Sequence, residues 1–101
     1  MTSQFIQGSK AAAFDSAYQS KYGSAPGPYS AYGYDTIYTL AAAVKQANST
    51  TPSNVITALH KVSYQGLTGP VSFDSSGNRI GAKFVVLEVV NGAYALAPTQ
   101  P

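Results

Sequence analysis

The chain has 101 residues, which suits a single domain, and its six basic and four acidic residues give a formal net charge of +2. So small an excess of positive charge does not predict a nucleic-acid-binding surface. The absence of cysteine excludes disulfide bonds and thiolate metal sites. No segment is long and apolar enough to predict a transmembrane helix, and the first ten residues lack the pattern of a signal peptide, so any export signal is expected elsewhere.

The first predicted helix spans Lys10–Tyr22, with Ser9 before it as the expected N-cap. Aromatic residues recur along one side at a helical spacing, at Phe14, Tyr18 and Tyr22. Gly23 is expected to end the helix in the left-handed conformation, and the prolines that follow exclude its continuation.

The second predicted helix, Ser30–Asn48, is unusual because it has almost no charge. Asp35 and Lys45 are its only charged residues, whereas a surface helix of a soluble protein normally has a polar face. We assign it an apolar face and a softer face opposite. The first comprises Tyr34, Ile37, Tyr38, Ala41 and Val44, and the second comprises Tyr32, Thr36, Thr39, Ala43 and Gln46. Such a helix is expected to be covered on nearly every side, by a partner or by further parts of a larger protein.

The third predicted helix begins at Pro52, with Thr51 as its N-cap. This pairing is favoured because the first helical residue needs no backbone N–H. Its apolar stripe predicts an end near Val62.

The second half of the chain changes to the two-residue period of β-strands. Val71 and Phe73 alternate with polar neighbours and predict a short strand, followed by a turn over residues 74–78. The β-branched run Lys83–Val90 predicts a long strand. Asn91-Gly92 is a strong signal for a tight hairpin, with Ala93–Ala97 as the return strand. The two-residue turn pairs Val89 with Tyr94 and Leu87 with Leu96.

The order of these elements predicts an α+β fold. Three helices in residues 9–62 are followed by an antiparallel β-meander or hairpin in residues 67–97. Because the apolar elements exceed what so short a chain can cover, we interpret residues 1–101 as a single partial domain.

The sequence offers little for catalysis. His60 is the only histidine, and a lone helical histidine is far more often solvated or capping than catalytic. The four carboxylates have no spacing that indicates a working pair; they are Asp15, Asp35, Asp74 and Glu88. Residues 74–78 faintly resemble a calcium loop but lack the later acidic ligand, which favours a plain turn. We therefore predict no enzyme activity, no metal site and no cofactor.

The tyrosines around the start of the second helix are better candidates for binding, because tyrosine combines a large apolar ring with a polar tip. Tyr34 and Tyr38 lie on the apolar stripe, which favours core packing. Tyr29 instead lies in a proline-rich loop just before the helix, where backbone donors favour anionic groups. Tyr29 is therefore the predicted ligand contact.

Three motifs and a hairpin, in a fixed order, carry a resemblance to a known family. They are AYGYD at residues 31–35, TGPVSFD at residues 68–74, SSGNR at residues 75–79 and the terminal hairpin. The segment from about Phe14 to Tyr94 resembles the C-terminal part of a periplasmic solute-binding protein of the branched-chain amino-acid type, which serves ABC importers.

The resemblance implies a fragment of an α/β lobe. Family members have two lobes joined by crossover strands, and the lobes close over an amino acid or a similar small solute. An aromatic residue just before the AYGYD-like helix lines the cleft in related proteins, and Tyr29 has the matching position, with Tyr32 as a weaker neighbour. The resemblance also implies an ABC permease as partner and a periplasmic or extracellular location for the intact protein. The lobe's central parallel sheet is missing, which implies that the chain alone cannot bind ligand fully.

Without that sheet, the second helix and the strand Lys83–Val90 need other cover. Two apolar patches of a few hundred Å² are worth on the order of 5–10 kcal/mol at about 25 cal/mol/Å², which rivals the stability of a small domain. We therefore predict a homodimer or higher oligomer, with exchanged elements as one form of it. The alternative function is a self-associating structural or protein-interaction module that binds no ligand.

Overall fold

The computed structural model describes Ile6, residues 8–82 and residues 84–101. Three helices are followed by antiparallel strands, which confirms the predicted α+β class. The elements are α1 (Ser9–Tyr22), α2 (Ser30–Ala47), α3 (Pro52–Leu59), β1 (Tyr64–Gly66), β2 (Gly69–Phe73), β3 (Arg79–Ile80), β4 (Leu87–Val90) and β5 (Ala93–Leu96).

The helix ends mostly follow local chemistry. Gly8 takes the N-cap position of α1 in place of Ser9, which is the first helical residue. Gly23 ends α1 with a φ of 75°, and its N–H donates to the carbonyl of Gln19. Thr51 is the N-cap of α3 and is followed by Pro52, as predicted.

The prediction that the third helix ends near Val62 is wrong, because α3 ends at Leu59. Beyond that residue, the N–H groups of Lys61 and Val62 donate to carbonyls three residues back rather than four, at 2.9 and 3.4 Å. The chain therefore turns more tightly than an α-helix. This turn still buries Val62.

The assignment of faces on α2 is also wrong. The buried residues are Ala31, Asp35, Thr39 and Ala43, which repeat every four positions. Most of the predicted apolar face points to solvent, with Ile37 65 % exposed, and only Val44 on it is partly buried against the core cluster. Close packing explains the reversal, since Ala43 lies against Val55 and Ala58 of α3 in the core cluster. A helix that approaches its neighbours this closely presents its smallest side chains to them.

The strands form two separate antiparallel sheets. One has the order β1-β2-β3, and the other is the hairpin β4-β5. The hairpin confirms the predicted register, with Val89 opposite Tyr94 and Leu87 opposite Leu96. Asn91 and Gly92 have φ values of 52° and 78°, as a tight hairpin turn with two left-handed residues requires.

The predicted long strand Lys83–Val90 is wrong in its first half. β4 begins only at Leu87, and Lys83 lies outside the described residues. The side chain of Gln100 explains the late start, because its amide pairs with both the N–H and the C=O of Val86 at 3.0 Å. The N–H of Ala97 still donates to the Val86 carbonyl at 2.9 Å, so Gln100 replaces only the bond between the Val86 N–H and the Ala97 carbonyl, and its own Nε2 donates to that carbonyl at 2.7 Å.

The molecule is extended and has a small core. Its radius of gyration is 15.9 Å and its principal extents are 50 × 33 × 19 Å, whereas a compact domain of this length has a radius of gyration of about 13 Å. The most buried apolar side chains are mainly Ala and Val. Large apolar side chains on α2 and on the hairpin therefore remain exposed.

Candidate functional site

The start of α2 is anchored by a buried carboxylate. Asp35, 4 % exposed, accepts three hydrogen bonds from the segment that joins β1 to β2. The N–H of Leu67 donates to Oδ1 at 2.8 Å, and the N–H and hydroxyl of Thr68 donate to Oδ2 at 2.9 and 2.5 Å. Hydrogen bonds to an ionised group are stronger than neutral ones, so this contact holds α2 firmly against the first sheet.

Gly66 makes this contact possible. A Cβ atom at this position would lie at 2.7 Å or less from all three atoms of the Asp35 carboxyl group. Only a residue without a side chain lets the strand end pass so close to the carboxylate.

An open cavity of about 410 Å³ lies between α2, α3 and the first sheet. Its walls are largely apolar. The residues that line it are Tyr32, Asp35, Thr36, Thr39, Leu40, Leu59, Val71, Phe73 and Arg79. This combination of apolar walls and a few polar groups is typical of surfaces that bind small molecules or peptide segments.

Arg79 lies on β3 and also lines the cavity. Its Nη2 donates to the carbonyl of Pro70 at 3.1 Å and to that of Thr68 at 3.4 Å. Its buried Nε and the buried hydroxyl of Thr39 have no hydrogen-bond partner among the described residues. The wall therefore keeps two polar atoms unsatisfied, which is unfavourable without further contacts.

Tyr32 lies half-buried in the cavity wall. Burial raises the pKa of its phenol, the positive charge of Arg79 opposes this shift, and the negative charge of Asp35 adds to it. Tyr32 therefore stays neutral and able to donate a hydrogen bond at physiological pH.

Tyr29 lies apart from this cavity wall. It is the N-cap residue of α2 without a side-chain capping hydrogen bond, and it is 72 % exposed. The structure thus keeps the two predicted ligand contacts in different surroundings, with Tyr29 in solvent and Tyr32 against the sheet.

The prediction that Tyr34 and Tyr38 pack in the core is wrong, because they are 37 % and 48 % exposed. They belong to a surface row of rings. Tyr34 contacts Phe14 at 5.2 Å and Tyr38 at 4.5 Å between ring centroids, and Tyr38 stacks on Tyr64 at 6.3 Å. A hydrogen bond with Tyr38 is the main cause that raises the pKa of Tyr34.

Two further polar candidates lie at a helix end and in a turn. His60 is exposed at the C-cap of α3. Asp74 accepts the N–H groups of Ser76 and Asn78 at 2.9 Å, which is a plain Asx turn. Within the described ranges, no three His, Cys, Asp or Glu side chains converge as metal ligands. The helices in those ranges include none with the length and apolar character to cross a bilayer.

Sequence reasoning missed the buried role of Asp35. One signal was available, since Asp35 stands in a four-residue repeat of small or polar residues with Ala31, Thr39 and Ala43. A helix with very few charges and one carboxylate inside its smallest-residue stripe indicates a buried, hydrogen-bonded acid. No comparable signal marks Arg79 or Gly66, because their partners are set by tertiary contacts.

Comparisons with known proteins agree with this architecture. A family model described as periplasmic binding protein matches residues 1–93. The fold is similar to that of a leucine-binding protein from Thermotoga maritima MSB8, with 26 % identity and a TM-score of 0.78 over 96 % of this chain and 28 % of that one. It is also similar to an ABC transporter substrate-binding protein from Desulfitobacterium hafniense in complex with Leu, with 27 % identity and a TM-score of 0.81 over 95 % and 29 % of the two chains.

A solute-binding protein from R. palustris, in complex with benzoate, shares the fold at 19 % identity and a TM-score of 0.75, over 95 % of this chain and 27 % of that one. The chain thus spans less than a third of the length of the solved structures it matches. The family match covers nearly all of its helices and strands, and the expected resemblance is confirmed. The chain belongs to the periplasmic binding protein family.

Proposed function

We propose that this chain is the C-terminal part of a solute-binding protein that captures an amino acid or a similar small solute for an ABC importer. Two observations support it: the family match, and the leucine-bound neighbour, of which this chain covers 29 %. In this proposal residues 1–101 form one partial domain, and the intact protein works in the periplasm or outside the cell with an ABC permease as partner.

The observation that carries the proposal is the placement of Tyr29. It is 72 % exposed at the start of a helix that the Asp35 carboxylate anchors less than two turns later. An exposed aromatic ring at the start of an anchored helix suits one wall of a solute cleft, because the ring is accessible and its backbone is already ordered. Tyr32 supports the same end of α2 and is the second proposed contact.

In this proposal most contacts to the solute come from elsewhere in the intact protein, so the isolated chain binds weakly. A chimaera tests the role of Tyr29 in a complete cleft. The matching segment of the Desulfitobacterium hafniense protein is replaced by this chain, and leucine binding is measured by calorimetry after circular dichroism has established folding.

Tyr29→Ala in this chimaera should raise the Kd for leucine about tenfold, which corresponds to roughly 1.4 kcal/mol. Tyr94→Ala is the matched control, because Tyr94 is 69 % exposed and lies on the hairpin. It should change the Kd less than about twofold. If both variants bind leucine as the unsubstituted chimaera does, Tyr29 does not line the cleft.

A second candidate function is self-association without a ligand. It is favoured by the exposed apolar side chains, among which Ile37, Phe84 and Tyr94 are each more than 60 % exposed. Light scattering tests it, with an expected mass of at least twice the 10.5 kDa of one copy. A monodisperse, folded monomer at high concentration would contradict it.

A further inference from the structure

Aromatic rings from α1, α2 and β1 form one continuous row on the molecule. Neighbouring ring centroids in the row lie 4.5–6.3 Å apart, which is typical of favourable aromatic pairs. In order along the row, the rings are Tyr22, Tyr18, Phe14, Tyr34, Tyr38 and Tyr64. The proposed cleft contacts do not use this row, so the structure packs five tyrosine rings together for which the solute gives no reason.

The shortest contact in the row joins Tyr34 and Tyr38, which lie one turn apart on α2. Their ring centroids are 4.5 Å apart and their planes are inclined by 33°. A hydrogen bond between the two phenols is the main cause that raises the pKa of Tyr34, so the hydroxyl-bearing edges of the rings lie side by side. The residues are 37 % and 48 % exposed, and a soluble oxidant therefore reaches both of them.

We propose that Tyr34 and Tyr38 are a site of oxidative cross-linking, at which a peroxidase with hydrogen peroxide joins the two rings as dityrosine within one chain. The oxidant takes one electron from each phenol, and each phenol releases its hydroxyl proton. The two phenoxyl radicals form a carbon–carbon bond between ring carbons next to the hydroxyl carbons. The hydrogen on each newly bonded carbon then moves to the oxygen and restores the hydroxyl group. One hydrogen peroxide accepts the two electrons and the two protons and becomes two molecules of water.

The other close tyrosine pair in the row is less suited to this reaction. Tyr18 and Tyr22 have ring centroids 4.6 Å apart, but their planes are inclined by 51°. The ammonium group of Lys21 lies 5.6 Å from the centroid of the Tyr22 ring, and a positive charge at a ring opposes the removal of an electron from it. The negative charge of Asp35 acts instead on Tyr34, where it favours the loss of an electron.

Treatment of the purified chain with a peroxidase and hydrogen peroxide tests the site. The chain should gain the fluorescence of dityrosine and lose the mass of two hydrogen atoms. Because α2 holds the two rings together, the intrachain product should exceed products that join two chains about tenfold or more at low micromolar protein. Trypsin cuts after Lys21 and Lys45, so the mass loss should appear in the peptide of residues 22–45. That peptide should give no fragment ions from breaks between Tyr34 and Tyr38.

Phenylalanine variants identify the reacting residues. Tyr34→Phe and Tyr38→Phe each remove one phenol from an exposed position, so circular dichroism should show the fold unchanged. Each should lower the yield of the intrachain product about tenfold. Tyr94→Phe is the matched control, because Tyr94 is 69 % exposed and lies on β5 outside the row; its yield should equal that of the unsubstituted chain.

Three results would each overturn the proposal. The first is a chain that gains no intrachain dityrosine, or mainly products that join two chains. The second is a cross-link at another pair; a bond between Tyr18 and Tyr22 is recognised at once, because it joins two tryptic peptides across the cut after Lys21. The third is a yield that either Tyr34→Phe or Tyr38→Phe leaves unchanged.

Discussion

Replacing Gly66 by alanine should strongly destabilise the fold, although Gly66 has an ordinary backbone conformation. The new Cβ would lie at 2.7 Å or less from the Asp35 carboxyl atoms, and three hydrogen bonds hold that carboxylate in place. Overpacking costs about 1–3 kcal/mol, and a lost hydrogen bond to a charged group costs about 1.5–3 kcal/mol. We expect Gly66→Ala to lower the free energy of unfolding by about 2–4 kcal/mol.

Gly33→Ala is the matched control. Gly33 lies within α2, and a Cβ there would meet nothing within 4 Å. Alanine is the better helix former, so this variant should be more stable by about 0.5–1 kcal/mol. Urea unfolding followed by far-UV circular dichroism measures both changes. With a slope near 1 kcal/mol/M for so small a protein, Gly66→Ala should lower the midpoint by about 2 M or more.

A double-mutant cycle isolates the cause. Asp35→Ala removes the carboxylate that the new methyl group meets, so Gly66→Ala should cost less than about 0.5 kcal/mol in that background. If the effects of the two substitutions on the free energy of unfolding are instead additive, or if Gly66→Ala alone leaves this free energy unchanged, then the close approach to Asp35 is not the reason that position 66 requires glycine.

Three further predictions concern local features. The backbone N–H of Asn78 is the main group that lowers the pKa of Asp74, so an NMR titration of Asp74 should have its midpoint below 3.8, and a midpoint above 3.8 would contradict this. The stabilisation from this hydrogen bond is present above the unfolded pKa and is lost as the pH falls through the folded pKa. Burial raises the pKa of Tyr32 and Tyr64. The free energy of unfolding should therefore be at its full value below the unfolded pKa of about 10 and decline as the pH rises through the folded pKa values. A urea midpoint that is unchanged between about pH 9 and pH 11 would contradict this decline. Gly92 has a φ of 78°, so Gly92→Ala should destabilise the hairpin turn by about 1–2 kcal/mol and accelerate amide exchange in β4 and β5 about tenfold. Equal acceleration in α2 would show that the hairpin does not open independently.

The features predicted correctly from the sequence are local ones. Gly23, the Thr51-Pro52 pair and the Asn91-Gly92 turn each set a backbone conformation through their own chemistry. Because a two-residue turn fixes which residues face each other, the register of the hairpin followed from the turn alone. The family resemblance was likewise readable, since it rests on motifs in order.

The candidate site was only partly predictable. Tyr29 and Tyr32 were identified from their position before and within the AYGYD segment, and their roles remain proposals. The contact of Asp35 with Leu67 and Thr68 spans more than thirty residues, so no local pattern names its partners. The late start of β4 similarly depends on the side chain of Gln100.

By itself, the sequence determined where the second and third helices begin, how the hairpin turns and which family the chain belongs to, because these depend on neighbouring residues and ordered motifs. Only the tertiary structure decided which face of α2 is buried. Hydrophobicity favoured the side of Ile37, but α3 and the first sheet lie so close that only residues such as Ala43 fit between them. Close packing with hydrogen bonds to one carboxylate therefore outweighed the burial of larger side chains, and those side chains were left exposed for another surface to cover.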